Sequence, residues 1–188
     1  LRALIHKWWH EDRMKEKELQ ARVVLIYKKG DTSKYENYRP ISLLNTIYKI
    51  YAGIIQKRLA KTLDGQLSQT QYGFRKARST AQALFLARRV LDNAEAGIQK
   101  MIFTFLDWEK AFDKVDQREL IKAIERLNIP EKMLRVLESF YNNPRFRIKD
   151  REGFSEYRRQ EAGIRQGCPL SPCLFLLILT VMFEDVQS

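Results

Sequence analysis

Two short apolar runs limit what this chain can fold into more than anything else in it. Residues 21–27 (ARVVLIY) and 101–107 (MIFTFLD) have the length and composition of buried strands. Long helical patterns lie before, between and after them. Apolar residues Leu4, Ile5, Trp8 and Trp9 mark a helix over 3–20. Ile47, Tyr48, Tyr51, Ile54, Ile55 and Leu59 recur at three and four over about 44–63, with Lys49, Lys57, Arg58 and Lys61 on the opposite face. Lys28-Lys29-Gly30-Asp31 turns the chain after the first strand.

Further along, residues 65–73 read as a loop. Ser79-Thr80 offers an N-cap for a helix to about 94, closed by Gly97. Helices near 117–128 and 131–142 are split by Pro130, and a basic hairpin covers 145–149 and 156–162. A helix from 171 to about 186 is apolar nearly all round. Strands, hairpins and helices alternate unevenly, which predicts an α+β chain rather than a doubly wound sheet.

Charge narrows the function. Lys and Arg outnumber Asp and Glu by 34 to 23, giving a net charge of +11 that favours a polyanionic partner. Between Lys57 and Arg89 stand eight basic residues (Lys57, Arg58, Lys61, Arg75, Lys76, Arg78, Arg88, Arg89) against one acid, Asp64. Charge concentrated in this way suits a phosphate-tracking surface. The two cysteines, Cys168 and Cys173, have no second pair to build a zinc site, so free thiols are expected. The longest apolar run, residues 174–183, is too short to span a bilayer. Both ends of the chain read as fragment boundaries.

Three constellations can carry chemistry. Asp107 closes an apolar run, and a carboxylate on a rigid strand end suits a hard cation such as Mg²⁺, although such an Asp is more often a turn residue. Gly163-Ile164-Arg165-Gln166-Gly167-Cys168-Pro169-Leu170-Ser171-Pro172 precedes the apolar helix. Its glycines allow close backbone approach to a ligand and Gln166 can donate and accept, but Gly and Pro also simply punctuate loops. Lys28, Lys29 and Arg39 flank the first strand and could grip a triphosphate, or stand as a solvated edge. His6 and His10 have metal-binding spacing without a third ligand, Trp8, Trp9 and Tyr48 read as core, and Asp113 and Asp116 read as helix-start acids.

Taken in series, these blocks resemble the motif order of reverse transcriptases. Tyr38-Arg39-Pro40-Ile41-Ser42-Leu43-Leu44 is similar to the fingers signature and Gln71-Tyr72-Gly73-Phe74-Arg75 to the next block. Phe105-Leu106-Asp107 through Phe112-Asp113 and the Gly163–Pro172 string are similar to the two palm blocks. Ala111-Phe112-Asp113 and Arg165-Gln166-Gly167-Cys168 resemble the non-LTR (LINE-like) retrotransposon branch rather than group II intron maturases.

The resemblance implies a right-hand polymerase fold, with fingers over about 1–100 and an incomplete palm, an antiparallel sheet backed by helices, over about 101–188. It implies an RNA-directed DNA polymerase that extends a DNA primer on an RNA template with dNTPs and two Mg²⁺ ions. Asp107 and the Trp108 backbone carbonyl would hold metal. Phe112 would sit beneath the incoming sugar and exclude a 2′-hydroxyl, Gln166 would contact the nucleotide, and Lys28 or Lys29 with Arg39 would hold its triphosphate. Lys57, Arg58, Lys61, Arg75, Lys76 and Arg78 would track template phosphates.

One departure matters. The family completes its metal site with a Phe/Tyr-x-Asp-Asp hairpin, and no Asp-Asp pair occurs in these 188 residues. Phe183-Glu184-Asp185-Val186 has no turn residues and reads as a solvated helix end. The isolated fragment is therefore expected to be inactive, and the rival reading is a non-catalytic RNA- or DNA-binding remnant. Family alone suggests action in the nucleus after cytoplasmic synthesis, with no membrane partner.

Overall fold

The computed structural model describes every residue except 99, 151, 152 and 188, and the backbone alone of residue 187. Among the described residues, six α-helices and a four-stranded sheet follow one another as α1 (Arg2–Glu11), β1 (Gln20–Tyr27), β2 (Tyr38–Leu44), α2 (Thr46–Leu63), α3 (Thr80–Ala96), α4 (Gln117–Glu125), α5 (Glu131–Tyr141), β3 (Arg145–Ile148), β4 (Arg158–Arg159) and α6 (Ser171–Gln187). The expected mixture of helix and sheet is present. The sheet is mixed, in the order β2-β1-β3-β4, with β1 antiparallel to β2 and parallel to β3.

Three local expectations need correction. The helix expected over 3–20 ends at Glu11, where Asp12 adopts a left-handed conformation, and a short 3-10 turn at Glu16–Leu19 leads into β1. Residues 38–44, read as motif rather than element, form strand β2. Pro40 lacks an amide donor and is tolerated because β2 is an edge strand.

The third correction concerns residues 101–107. They have no hydrogen-bonded strand neighbour among the described residues, and their side chains are exposed. Apolar, β-branched composition favours an extended backbone, but only a neighbouring edge makes it a strand. Helix α3 is also peripheral: it buries only Ala94 and leaves Leu84 and Phe85 exposed. Its start follows from the sequence, since Ser79 and Gln82 form a reciprocal capping box.

The core lies between one sheet face and the helices. Alternation along β1 points Ala21 and Val23 inward, against Leu44 of β2. Trp8, Tyr48, Tyr51 and Phe140 interlock there, with Tyr51 stacked on Phe140 at 5.7 Å and Trp8 edge-on to Tyr51 at 5.5 Å. Leu120 and Ile124 of α4 and Val136 and Leu137 of α5 join Leu174, Leu177 and Val181 of α6 in the same cluster. The core reading of Trp8 and Tyr48 thus holds. Asp12 locks the end of α1 to α5, gripped by Lys132 and by Arg135 at 2.8 Å, and the two cations hold its carboxyl below the usual range.

Candidate functional site

The loop from Gly163 to Cys168 is the hub. Gly163 donates its amide to the Val115 carbonyl at 2.7 Å and Ile164 donates to Phe112 at 2.8 Å. On the other side Ser42 of β2 donates to the Gln166 carbonyl at 2.7 Å. Three of the four blocks singled out in the sequence therefore meet through main-chain bonds.

The two glycines make the meeting possible. Gly163 has φ +80, and a Cβ there would fall 2.9 Å from the Asp113 carbonyl oxygen. Gly167 has φ +114, and its Cβ would lie 2.6 Å from the Ser42 carbonyl. The close approach expected toward a ligand is used here against the chain's own backbone.

Side chains complete the junction. Gln166 donates to the Asp113 carboxylate at 2.9 Å, so Asp113 has a role beyond starting a helix. Asp116 does cap α4, accepting from the amides of Arg118 and Glu119, and these bonds lower its pKa. Phe112 is half-buried and packs on Phe175 of α6 at 5.3 Å, with Phe74 at 6.5 Å. Beneath the loop, Arg165 is 4% exposed and donates to the carbonyls of Leu19 at 2.5 Å and Arg145 at 3.4 Å and to Gln160 at 3.0 Å. Its place in the motif string gave no hint of this structural task.

Asp107 stands apart from that junction. Its side chain is exposed and makes no hydrogen bond or ion pair among the described residues. Trp108 is half exposed, and Glu109 is occupied by Lys114 at 3.1 Å. No group of three His, Cys, Asp or Glu able to hold a metal gathers among the described residues.

The cations divide by circumstance. The ladder continues past β1, since the Lys28 amide donates to the Asn37 carbonyl at 2.9 Å. Arg39 pairs with Ile26, so alternation carried one residue past β1 puts Lys28 on the Arg39 face, whereas Lys29 lies in the bend that follows. Lys57, Lys61 and Lys76 line one open cleft of about 670 Å³, floored by Leu63, Leu176 and Leu177. Arg58 stacks on Trp9 at 4.6 Å, and Arg78 lies 5.7 Å from the Tyr72 ring. Arg75 is consumed internally: it bonds the Asp64 carboxylate at 3.0 Å and the carbonyls of Asp64, Ser68 and Gln71. These bonds close the 64–75 loop on itself.

The remaining candidates resolve simply. His6 and His10 have ring centres 6.4 Å apart. Both cysteines are free; Cys168 lies 3.4 Å from the buried Tyr48 hydroxyl, and burial pushes the Cys173 thiol up to about 11. Glu184 and Asp185 stay within α6, where Asp185 forms a two-pronged pair with Arg126. Among the described residues no helix is long and apolar enough to cross a membrane.

Comparison with known proteins supports the motif series. The family model for reverse transcriptase (RNA-dependent DNA polymerase) matches residues 26–188. The chain is 33% identical over 160 residues to the transposon TX1 uncharacterized 149 kDa protein of Xenopus laevis, covering 85% of this chain and 12% of that protein. It is 27% identical over its full length to the retrovirus-related Pol polyprotein of the type-1 retrotransposable element R2 of Nasonia vitripennis, covering 18% of it. A probable RNA-directed DNA polymerase from transposon BS of Drosophila melanogaster is 31% identical over 158 residues, which cover 82% of this chain and 17% of that protein. The chain thus spans less than a fifth of the length of each of these relatives. With its motif blocks joined at one loop and a family match across most of its length, the chain belongs to the reverse transcriptase family, among relatives from non-LTR retrotransposons.

Proposed function

We propose that this chain supplies the fingers and part of the palm of an RNA-directed DNA polymerase, which extends a DNA primer on an RNA template from dNTPs. The observation that carries the reading is the Gly163–Gly167 loop, bonded at once to residues 112–115 and to Ser42. It keeps Phe112 and Gln166 beside the strand that bears Arg39.

In this reading the triphosphate lies along the face shared by Lys28 and Arg39, and the ladder's extension through Lys28 but not into the bend at Lys29 favours Lys28. A point cation and a planar fork divide the phosphate oxygens between them. Phe112, braced by Phe175, presents bulk beneath the sugar, and Gln166, oriented by Asp113, offers an amide to the nucleotide. Lys57, Lys61 and Lys76 in their cleft, with Arg58 and Arg78, track the template. Arg75 would act indirectly, by holding the 64–71 loop.

Two Mg²⁺ ions are the cofactor implied by family. Asp107 and the Trp108 carbonyl would be this chain's share of their ligands, but the described residues do not make a two-ion site on their own. The remaining carboxylates would come from an Asp-Asp hairpin elsewhere in the protein. The 188-residue chain alone therefore binds nucleic acid without extending a primer.

The test uses one primer–template with two proteins, the 188-residue chain and a form extended through a downstream Asp-Asp pair. Each is made with and without Asp107→Ala, and product length is scored. Synthesis by the long form only, abolished by Asp107→Ala, is expected. Extension by the short form that is lost on Asp107→Ala would refute the incomplete site, and a long form indifferent to it would remove Asp107 from the metal. A long form inactive with either allele would favour the non-catalytic binding remnant.

A further inference from the structure

We infer that the outer face of the sheet at its β3–β4 end is a second nucleic-acid contact, one that grips phosphates and stacks bases of a single strand. The inference rests on the reading that the chain handles nucleic acid. It concerns residues other than the template-tracking cations named above.

Strand register builds the face. Phe146 packs on the core, so its neighbours Arg145 and Arg147 project outward, and Lys149 continues the alternation. Parallel pairing sets Arg22 of β1 directly beside Arg147. None of Arg22, Arg145, Arg147 and Lys149 makes an ion pair among the described residues. Like charges set side by side across a ladder are unfavourable unless an anion lies between them.

Arg147 is held as a rigid donor. Its guanidinium sits 4.1 Å from the Phe154 ring and 4.9 Å from the Tyr157 ring. Its Nε is buried without a hydrogen-bond partner, and the two terminal guanidinium nitrogens bond nothing among the described residues. A guanidinium packed against two rings loses little entropy on meeting a phosphate. Both rings keep much of their surface in solvent, Phe154 at 44% and Tyr157 at 37%. Base stacking on exposed aromatics beside a basic track is the physical pattern of single-strand binding. An acidic protein would satisfy the cations but leave those rings without partners.

The test measures anisotropy of a labelled 20-nucleotide oligo-U RNA and an oligo-dT of equal length, titrated with the 188-residue chain at several salt concentrations. The variant Arg22→Gln, Arg145→Gln, Arg147→Gln should bind at least tenfold more weakly at low salt. Its log–log salt slope should be shallower by about 2, since each single-strand phosphate contact contributes roughly 0.7. Tyr157→Leu, which keeps bulk and removes the π face, should weaken binding about fivefold or more while leaving the slope unchanged. Thermal melts establish that the variants fold.

Lys57→Gln, Lys61→Gln, Lys76→Gln separates the two ideas. If only this second triple weakens binding, the sheet-face inference is overturned while the wider nucleic-acid reading stands. If wild type binds neither oligonucleotide, both fail. Displacement by poly-glutamate as effectively as by unlabelled RNA would show a generic anion face and overturn the stacking claim. Equal weakening for RNA and DNA supports recognition through phosphates and bases alone, whereas loss confined to one sugar would overturn it.

Discussion

Replacing Gly167 with alanine tests the hub directly. At φ +114 an L-residue is outside every comfortable backbone basin, which costs on the order of 1–3 kcal/mol. The new methyl would also lie 2.6 Å from the Ser42 carbonyl oxygen, far inside ordinary contact. Strand β2 would have to retreat, weakening the 2.7 Å bond from Ser42 to the Gln166 carbonyl, worth about 1 kcal/mol. A loss of roughly 2–4 kcal/mol follows from these costs. At a urea dependence near 2 kcal/mol per molar, the unfolding midpoint should fall by about 1–2 M. Gly53→Ala is the matched control: Gly53 is inside α2, and a methyl there would meet nothing within 4 Å, so the substitution should gain about 0.5–1 kcal/mol. A Gly167→Ala midpoint equal to wild type would refute the claim that this glycine exists for backbone packing.

Arg165→Met should cost about 2–4 kcal/mol, because the carbonyls of Leu19 and Arg145 lose a buried charged donor, and urea melts that match wild type would refute its bracing role. Arg165→Lys should recover only part of this, since a point cation cannot fork between separate acceptors. Asp12 supplies a pH test. Lys132 and Arg135 lower its folded pKa below the unfolded value near 3.8, so its stabilisation is present above that value and is lost as pH falls through the depressed one. Asp12→Asn should therefore be less stable than wild type at pH 7, with the two urea midpoints converging below about pH 4. A constant gap down to pH 2 would exclude Asp12 as the linked group.

Those parts of the protein whose physics is local were legible from the residues alone. The apolar period of α2, the run of β1, the capping box of Ser79 with Gln82 and the unbroken helix through Glu184 and Asp185 are each decided within a few residues. The motif series likewise identified the family, because its spacing survives without coordinates. Tertiary structure decided what depends on distant partners. Residues 101–107 have a strand's composition and no ladder among the described residues, whereas residues 38–44, interrupted by Pro40, form a strand because β1 offers an edge. Arg165 looks like any other cation in the sequence, yet the Leu19 carbonyl, brought near by folding, turns it into an internal brace. The same holds for Gly163 and Gly167: their freedom was legible, but its use against Asp113 and Ser42, both remote along the chain, was not. A hydrogen-bond donor or a bare Cα is a local property, and the partner it meets is set only when the chain closes on itself.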